Sequence, residues 1–243
     1  MTNPDTALVI GAGDSLGAAL ARRFAQEGLK VCVARRNEEK LAPLVERIRA
    51  TGGEVHAFGC DARREDEVIA LFERVEGDIG QLEIVVFNIG ANVFFKLRET
   101  TARVYFKVWE MGCMAGFLTG REAAKFMAPR GRGTIFFTGA TAAVRGSEGY
   151  SAFAGAKFGL RSLAQSMARE FGKEGLHIVH VVIDGPIDTP FVRERFPELV
   201  ASRPADGLLA PDDIADTYWA LHKQKRSAWT FELDMRPWLE PMS

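Results

Sequence analysis

Residues 7–28 read ALVIGAGDSLGAALARRFAQEG, and this stretch decides the fold. Four apolar residues, a length that suits a buried strand, run into a glycine-dense turn from Gly11 to Gly17. Behind the turn Leu16, Leu20 and Phe24 recur on one helical face, and Gly28 stands where a C′ glycine ends a helix. The same alternation continues along the chain. Further strand candidates are VCVA (31–34), VHAFGC (55–60), IVVFN (84–88), TIFFT (134–138), HIVHVVI (177–183) and WTFEL (229–233), with helical stretches between them. Parallel strands need crossovers, and right-handed helical crossovers put helices on both faces of a parallel sheet. Ligands gather beyond the carboxyl ends of such strands, so the informative residues are those directly after each one.

Composition narrows the classes. The 243 residues are 47% hydrophobic and 26% charged, ample apolar material for one α/β domain over residues 1–243. With 31 basic against 32 acidic residues and no basic run, nucleic acid held by bulk charge is not expected. No apolar run is long enough to span a bilayer, and MTNPDTALVIGAG lacks a signal-peptide pattern, so a cytoplasmic location is expected. Cys32, Cys60 and Cys113 are scattered and odd in number, which predicts free, buried thiols; no metal site is expected. Residues 184–210, DGPIDTPFVRERFPELVASRPADGLLA, hold four of the ten prolines and break the alternation. This segment is the expected substrate loop or lid.

The glycine turn predicts a dinucleotide site. Gly11 permits the tight turn, Gly13 lets backbone approach a pyrophosphate, and Gly17 lets the helix pack close to the sheet. Ser15 and Leu16 open the helix, whose unpaired N–H groups face the phosphates. The third glycine comes one residue later than the G-x-G-x-x-G spacing, so context carries the assignment: the motif follows the first strand and opens a helix. After the second strand stand Arg35 and Arg36 rather than an acid, which favours the 2′-phosphate of NADP, with NAD as the alternative. Asp14 opposes that phosphate unless it is turned away, and two solvated arginines are the bland reading. Asp61, followed by Ala62, ends the third strand where it can meet an adenine amine; Asn88 and Gly90 end the fourth at the expected switch point.

These pieces together resemble the short-chain dehydrogenase/reductase family over nearly the whole chain. The glycine turn GAGDSLG, Asp61, the NIG loop, the helix carrying Lys157 (AKFGLRSLAQSMARE) and the DGPIDT stretch with Gly185 and Thr189 occur in the family's order. The resemblance implies a Rossmann-type, doubly wound, seven-stranded parallel sheet in three layers. It also implies a nicotinamide cofactor and a homodimer or homotetramer packed through the long helices. In such enzymes a tyrosine passes the proton, a lysine four residues later holds the nicotinamide ribose, a serine fixes the substrate oxygen, and an asparagine holds a water. Carried over, only the lysine persists, as Lys157. The tyrosine position is Phe153, the serine position Ala140, the asparagine position Gly112, and the proline of the family's PG pair is Asp184.

A phenyl ring moves no proton, and general acid–base assistance is worth about 10² to 10⁴ in rate. Phe153, Leu160, Ala164, Met167 and Phe171 recur at helical spacing, so Phe153 continues a buried stripe beside Lys157. A lysine aimed at such a seam needs a partner, which the resemblance supplies as ribose hydroxyls; the bland reading is that it snorkels to solvent. Two groups are candidates for the missing acid. Tyr150 lies two turns before Lys157, roughly 10 Å of rise away; its bland reading is a capping aromatic. Asp184 replaces an inert proline at a strand end, where partial desolvation would let it serve as acid or base; its bland reading is an Asp-Gly turn. Thr138 and Thr141 can orient a substrate oxygen. His177 and His180, three apart in a strand, fall on opposite faces and read as satisfied core histidines. Phe94, Phe95, Phe191 and Phe196 hint at an apolar substrate, and Trp229 and Trp238 suit a subunit interface. Two readings stay open: an oxidoreductase with a substituted proton relay, or a catalytically inactive nucleotide-binding protein serving as sensor or assembly partner.

Overall fold

The computed structural model describes residues 5–241. Residues 1–4 and 242–243, the ends of the stretches read for a signal pattern and for the C-terminal tryptophans, lie outside the described residues.

The first half alternates β1 (Thr6–Ile10), α1 (Leu16–Gln26), β2 (Lys30–Arg35), α2 (Ala42–Ala50), β3 (Val55–Gly59), α3 (Glu65–Arg74) and β4 (Leu82–Phe87). Two helices, α4 (Ala102–Trp109) and α5 (Ala115–Met127), then lead to β5 (Thr134–Thr138) and the long α6 (Ser151–Phe171). After β6 (His177–Ile183) come α7 (Pro190–Arg195), α8 (Pro197–Ser202), α9 (Pro211–His222) and β7 (Glu232–Met235). The strands form one seven-stranded sheet in the order β3-β2-β1-β4-β5-β6-β7, and every pair is parallel. The expected doubly wound architecture is therefore the observed one.

Every residue of β1 and β6 is buried, because both faces of the sheet are covered. On one face Leu16, Leu20 and Phe24 of α1 meet Ile214 and Tyr218 of α9 over Val9, Val31 and Val86. On the other, Phe72 of α3, Leu118 of α5 and Leu160 and Met167 of α6 pack on Ile10, Phe87 and Phe137. Cys32, Cys60 and Cys113 are free and buried, and burial pushes the first two thiols up to about 12.

The last strand lies at 232–235 rather than at the predicted 229–233. Trp229 leaves the ladder to stack on His177, with centroids 4.7 Å apart, and the Thr230 carbonyl accepts from His177 Nε2 at 2.9 Å. His180 lies on the opposite face, and its Nδ1 bonds Glu232 at 2.9 Å. Each histidine is satisfied at one nitrogen only: His177 Nδ1 and His180 Nε2 are buried without a hydrogen-bond partner. Residues 184–210 are partly helical, since they contain α7 and α8, and an Ile187–Leu209 bridge ties their ends together. Phe191 and Phe196 are exposed there, edge-on at 6.4 Å.

The glycine turn owes its shape to close approach. A Cβ on Gly17 would lie 2.7 Å from the Gly11 carbonyl oxygen and 2.7 Å from Ala12 Cα, both rigid backbone. Gly17→Ala is therefore expected to destabilise the chain by about 1–3 kcal/mol through overpacking. Urea unfolding measures this, and a change within error would show that α1 can shift away from the turn.

Candidate active site

The carboxyl ends of β1 to β4 surround a cleft of about 460 Å³. Gly11, Gly13, Arg35, Arg36, Asp61, Ala62, Asn88 and Gly90, all singled out from the sequence, line it together. Gly11 (φ 86°) turns the chain beneath Asn88, whose Nδ2 donates to the Gly11 carbonyl at 3.2 Å and whose main-chain N–H donates to Ile10 at 2.8 Å. These bonds close the seam between β1 and β4, where the strand order reverses. Space over Gly13 is open, with nothing within 4 Å of where a side chain would start. Ser15 occupies the cap of α1 without a side-chain cap bond, and Leu16 is buried as its first residue. Bare backbone over Gly13 and unpaired N–H groups at a helix start are what a pyrophosphate requires, so the residues present fit a dinucleotide.

The charges are arranged differently from the sequence reading. Asp14 turns towards Arg35, whose Nη1 donates to Asp14 Oδ1 at 3.1 Å and to the Lys40 carbonyl at 3.3 Å. Asp61 is chelated by Arg63, through Nε at 2.8 Å and Nη2 at 2.5 Å, and these bonds hold its carboxyl below the usual carboxylate range. Asn37, Lys40 and Arg63 also line the cleft and were not singled out from the sequence. The first two follow Arg36 within the same ARRNEEK stretch, so that stretch was their signal.

Lys157 is only 3% exposed, so it does not snorkel. Its Nζ donates to the Thr138 carbonyl at 2.8 Å and to the Ile89 carbonyl at 3.3 Å. The partner this buried lysine needs is thus supplied by main chain at the ends of β5 and β4. Burial draws its pKa down to about 8. Phe153, one turn back, is buried among Ala91, Val108, Ala142 and Ala156, with its ring centroid 6.0 Å from Nζ.

Asp184 lies buried at the end of β6. It is tied into the site rather than forming a simple turn. Thr141 Oγ1 donates to its Oδ1 at 2.5 Å, and Arg236 Nη2 pairs with its Oδ2 at 3.0 Å. Arg236, just past β7, had no local signal in the sequence. The Thr138 hydroxyl is committed to Tyr218 at 2.9 Å, which leaves Thr141 as the threonine facing this cluster. Tyr150 takes the capping position of α6, accepts from Ala154 N–H at 2.8 Å, and meets Phe94 edge-on at 5.3 Å. Thr189 caps α7 by accepting from Val192 N–H at 3.1 Å, and Gly185 lies against Pro237; neither lines the cleft. Gly112 is buried where a Cβ would meet the Ala156 methyl at 3.0 Å.

The short chain dehydrogenase family model matches residues 5–199. The chain belongs to the short-chain dehydrogenase family. A solved short-chain dehydrogenase from Rhodopseudomonas palustris is 49% identical and superimposes with a TM-score of 0.84 over 96% of this chain and 99% of its own. A metagenomic short-chain oxidoreductase, solved in complex with NADP, is 26% identical with a TM-score of 0.81 over 97% of each chain. A short-chain dehydrogenase/reductase of Armillaria gallica is 32% identical over 187 residues, 76% of this chain and 71% of its own. Membership places the chain in a class of NAD(P)-dependent oxidoreductases that act on small molecules. Among the described residues no helix is long and apolar enough to cross a membrane, and no group of three or more His, Cys, Asp or Glu could hold a metal ion.

In this short-chain dehydrogenase the buried Lys157 makes stability depend on pH. Its pKa falls from 10.5 to about 8 on folding, so between those values the unfolded chain binds more protons and stability rises with pH. At roughly 1.36 kcal/mol per unit, the rise is on the order of 3 kcal/mol. Urea unfolding of the wild type and Lys157→Met, near neutral pH and again above pH 10, isolates this contribution. The wild type is expected to gain on the variant as pH rises; a constant gap would mean the amine is solvated.

Proposed function

We propose that the chain is an NADP-preferring oxidoreductase that acts on a carbonyl or alcohol, with Thr141 and Asp184 standing in for the usual proton relay. The cleft that gathers the glycine turn, Arg35, Arg36 and Asn88 at the switch point carries the nucleotide half of this reading. Gly11, Gly13, Ser15, Leu16 and Gly17 would hold the pyrophosphate, and Arg35 and Arg36 the 2′-phosphate. Asp61 and Ala62 would line the adenine, Asn88 and Gly90 the switch point, and Gly185 and Thr189 the nicotinamide end. When bound, the nicotinamide supplies a hydride donor or acceptor. Lys157 has a third N–H beyond the two given to main chain, and that one serves a ribose hydroxyl.

The proton path rests on the buried cluster. Arg236 favours an ionised Asp184, which then accepts a proton through the Thr141 hydroxyl as a substrate alcohol binds there. Of the acid and base roles read from the sequence, this arrangement suits the base. Tyr150, engaged by Phe94 at the start of α6, is the weaker candidate. Phe94 and Phe95, both exposed, with Phe191 and Phe196 in the 184–210 lid, support a small apolar substrate. Self-assembly through α5 and α6 belongs to the same reading. Phe117 and Phe158 are exposed on these helices beside a groove lined by Leu163 and Met167. Trp229 is used internally, which leaves exposed Trp238 as the tryptophan for contacts.

Two observations favour the second reading, an inactive nucleotide-binding protein. Phe153 is packed into an apolar cluster, and the Gly112–Ala156 approach leaves no room for an asparagine side chain without movement.

Fluorescence titration separates the cofactors. NADPH is expected to bind more tightly than NADH, and Arg35→Ala to erase the preference. Asp14→Ser, by releasing Arg35, is expected to tighten NADPH by up to about five-fold, the worth of an exposed ion pair. Equal affinities in all three proteins would remove NADP as the cofactor.

The relay is tested by Asp184→Asn and Thr141→Val. Each is expected to lower turnover by about 10² to 10⁴ while leaving the NADPH dissociation constant nearly unchanged. Full turnover in both variants would exclude this path. Tight NADPH binding with no turnover over a broad panel of carbonyls and alcohols would select the inactive reading.

A further inference from the structure

Lys157 has the setting of a nucleophile. A neutral primary amine offers two N–H bonds and one lone pair. The carbonyls of Thr138 and Ile89 account for the two N–H bonds, at 2.8 Å and 3.3 Å, and fix the nitrogen's orientation. Both of these hydrogen bonds are to main chain, and Phe153, one turn back, offers neither a proton nor a hydrogen-bond acceptor. Ile89 and Gly90 form part of the cleft wall, and the amine, bonded to the Ile89 carbonyl, lies behind that wall without itself lining the cleft.

We propose that in the nucleotide-free chain Lys157 forms an imine with small apolar aldehydes or ketones. The lone pair on Nζ attacks the carbonyl carbon, a C–N bond forms, and the C=O π pair moves to oxygen. The two amine protons then leave with that oxygen as water, and a C=N bond remains. Amine plus carbonyl gives imine plus water, with no oxidant or reductant. If the imine takes up a proton, its single N–H is retained by the Thr138 carbonyl, and its charge faces the Phe153 ring. A tyrosine at 153 would put a competing hydroxyl beside this amine. The apolar ring does not.

Desolvation supplies the neutral amine. With a pKa of about 8, Lys157 is unprotonated near pH 7 in roughly 300-fold greater fraction than an exposed lysine. The groups on the elements packed about it leave this intact. Arg161, one turn on, is committed to Glu232 of β7 at 2.6 Å and 2.7 Å. His180 of β6 is held down to about 4 by burial and stays neutral. Asp184 is bonded to Thr141 and Arg236, and burial raises the Cys113 thiol. Desolvated lysines in apolar pockets are the ones that form Schiff bases.

The test uses the full chain with benzaldehyde and cyanoborohydride near pH 7, followed by peptide mapping by mass spectrometry. Lys157 is expected to be reductively labelled at least ten-fold faster than the exposed lysines, with a rate that levels off above about pH 8. Lys157→Arg is expected to lose that label while keeping the wild-type circular dichroism. Formaldehyde is the second probe, which separates a closed entrance from an unreactive amine. Labelling of Lys157 no faster than exposed lysines with both probes overturns the inference. Added NADPH distinguishes it from the cofactor reading. Protection supports both, whereas fast labelling undiminished by NADPH keeps the imine and removes the nucleotide from this amine.

Discussion

An ammonium held between two main-chain carbonyls sets the geometry around which the site is built. The Lys157 amine joins α6 to the last residue of β5 and to the loop after β4, three segments separated widely in the chain. Burying that charge is costly, and only well-placed acceptors offset it. The bond therefore acts in both directions: it stabilises the lysine, and it fixes where α6 begins over the sheet. Close contacts reinforce the placement. Gly112 faces Ala156, Gly155 leaves the space that the Tyr105 hydroxyl occupies, and Gly116 faces Leu160. A helix pinned so tightly carries its neighbours to defined positions. Phe153 is thereby set beside the amine in an apolar cluster rather than in solvent.

The second fixed point is Asp184. A carboxylate that is 3% exposed at a strand end would be a liability if solvent were its only stabiliser. Thr141 and Arg236 remove that liability, and in doing so they join the ends of β5, β6 and β7. The two clusters are complementary. Lys157 is positive and bonded to main chain, whereas Asp184 is negative and bonded to a threonine hydroxyl and an arginine.

Much of this was legible in the sequence, and the reasons are specific. The strands at 134–138 and 177–183 carry their signal in β-branched and aromatic residues, and the structure gives them those same bounds. The last strand was misplaced because WTFEL satisfies strand propensity locally, while the stacking of Trp229 on His177 is a tertiary interaction. In the cleft, glycine spacing located the turn because close approach admits no side chain. The pairing of Asp14 with Arg35 was not readable, since a one-dimensional reading treats the two charges as independent. Arg236 illustrates the same limit more sharply. Nothing near it in the chain marks it, and only the parallel pairing of β7 with β6 brings it to Asp184.

The packing around α6 also ties positions 112, 140 and 153 to one another. With glycine at 112, Ala156 can approach the turn between α4 and α5 so closely that an added Cβ would lie 3.0 Å from its methyl. An asparagine there would push α6 outward and loosen the Lys157 bonds to Thr138 and Ile89. Phe153 fills the volume on the same side, buried against Ala91 and Ala142, so a hydroxyl on that ring would need a partner within an apolar cluster. Ala140, partly buried, packs against the same cluster and offers none. Each apolar residue thus makes the next one favourable, and returning one polar group alone would leave it unsatisfied. The three positions share one apolar packing environment.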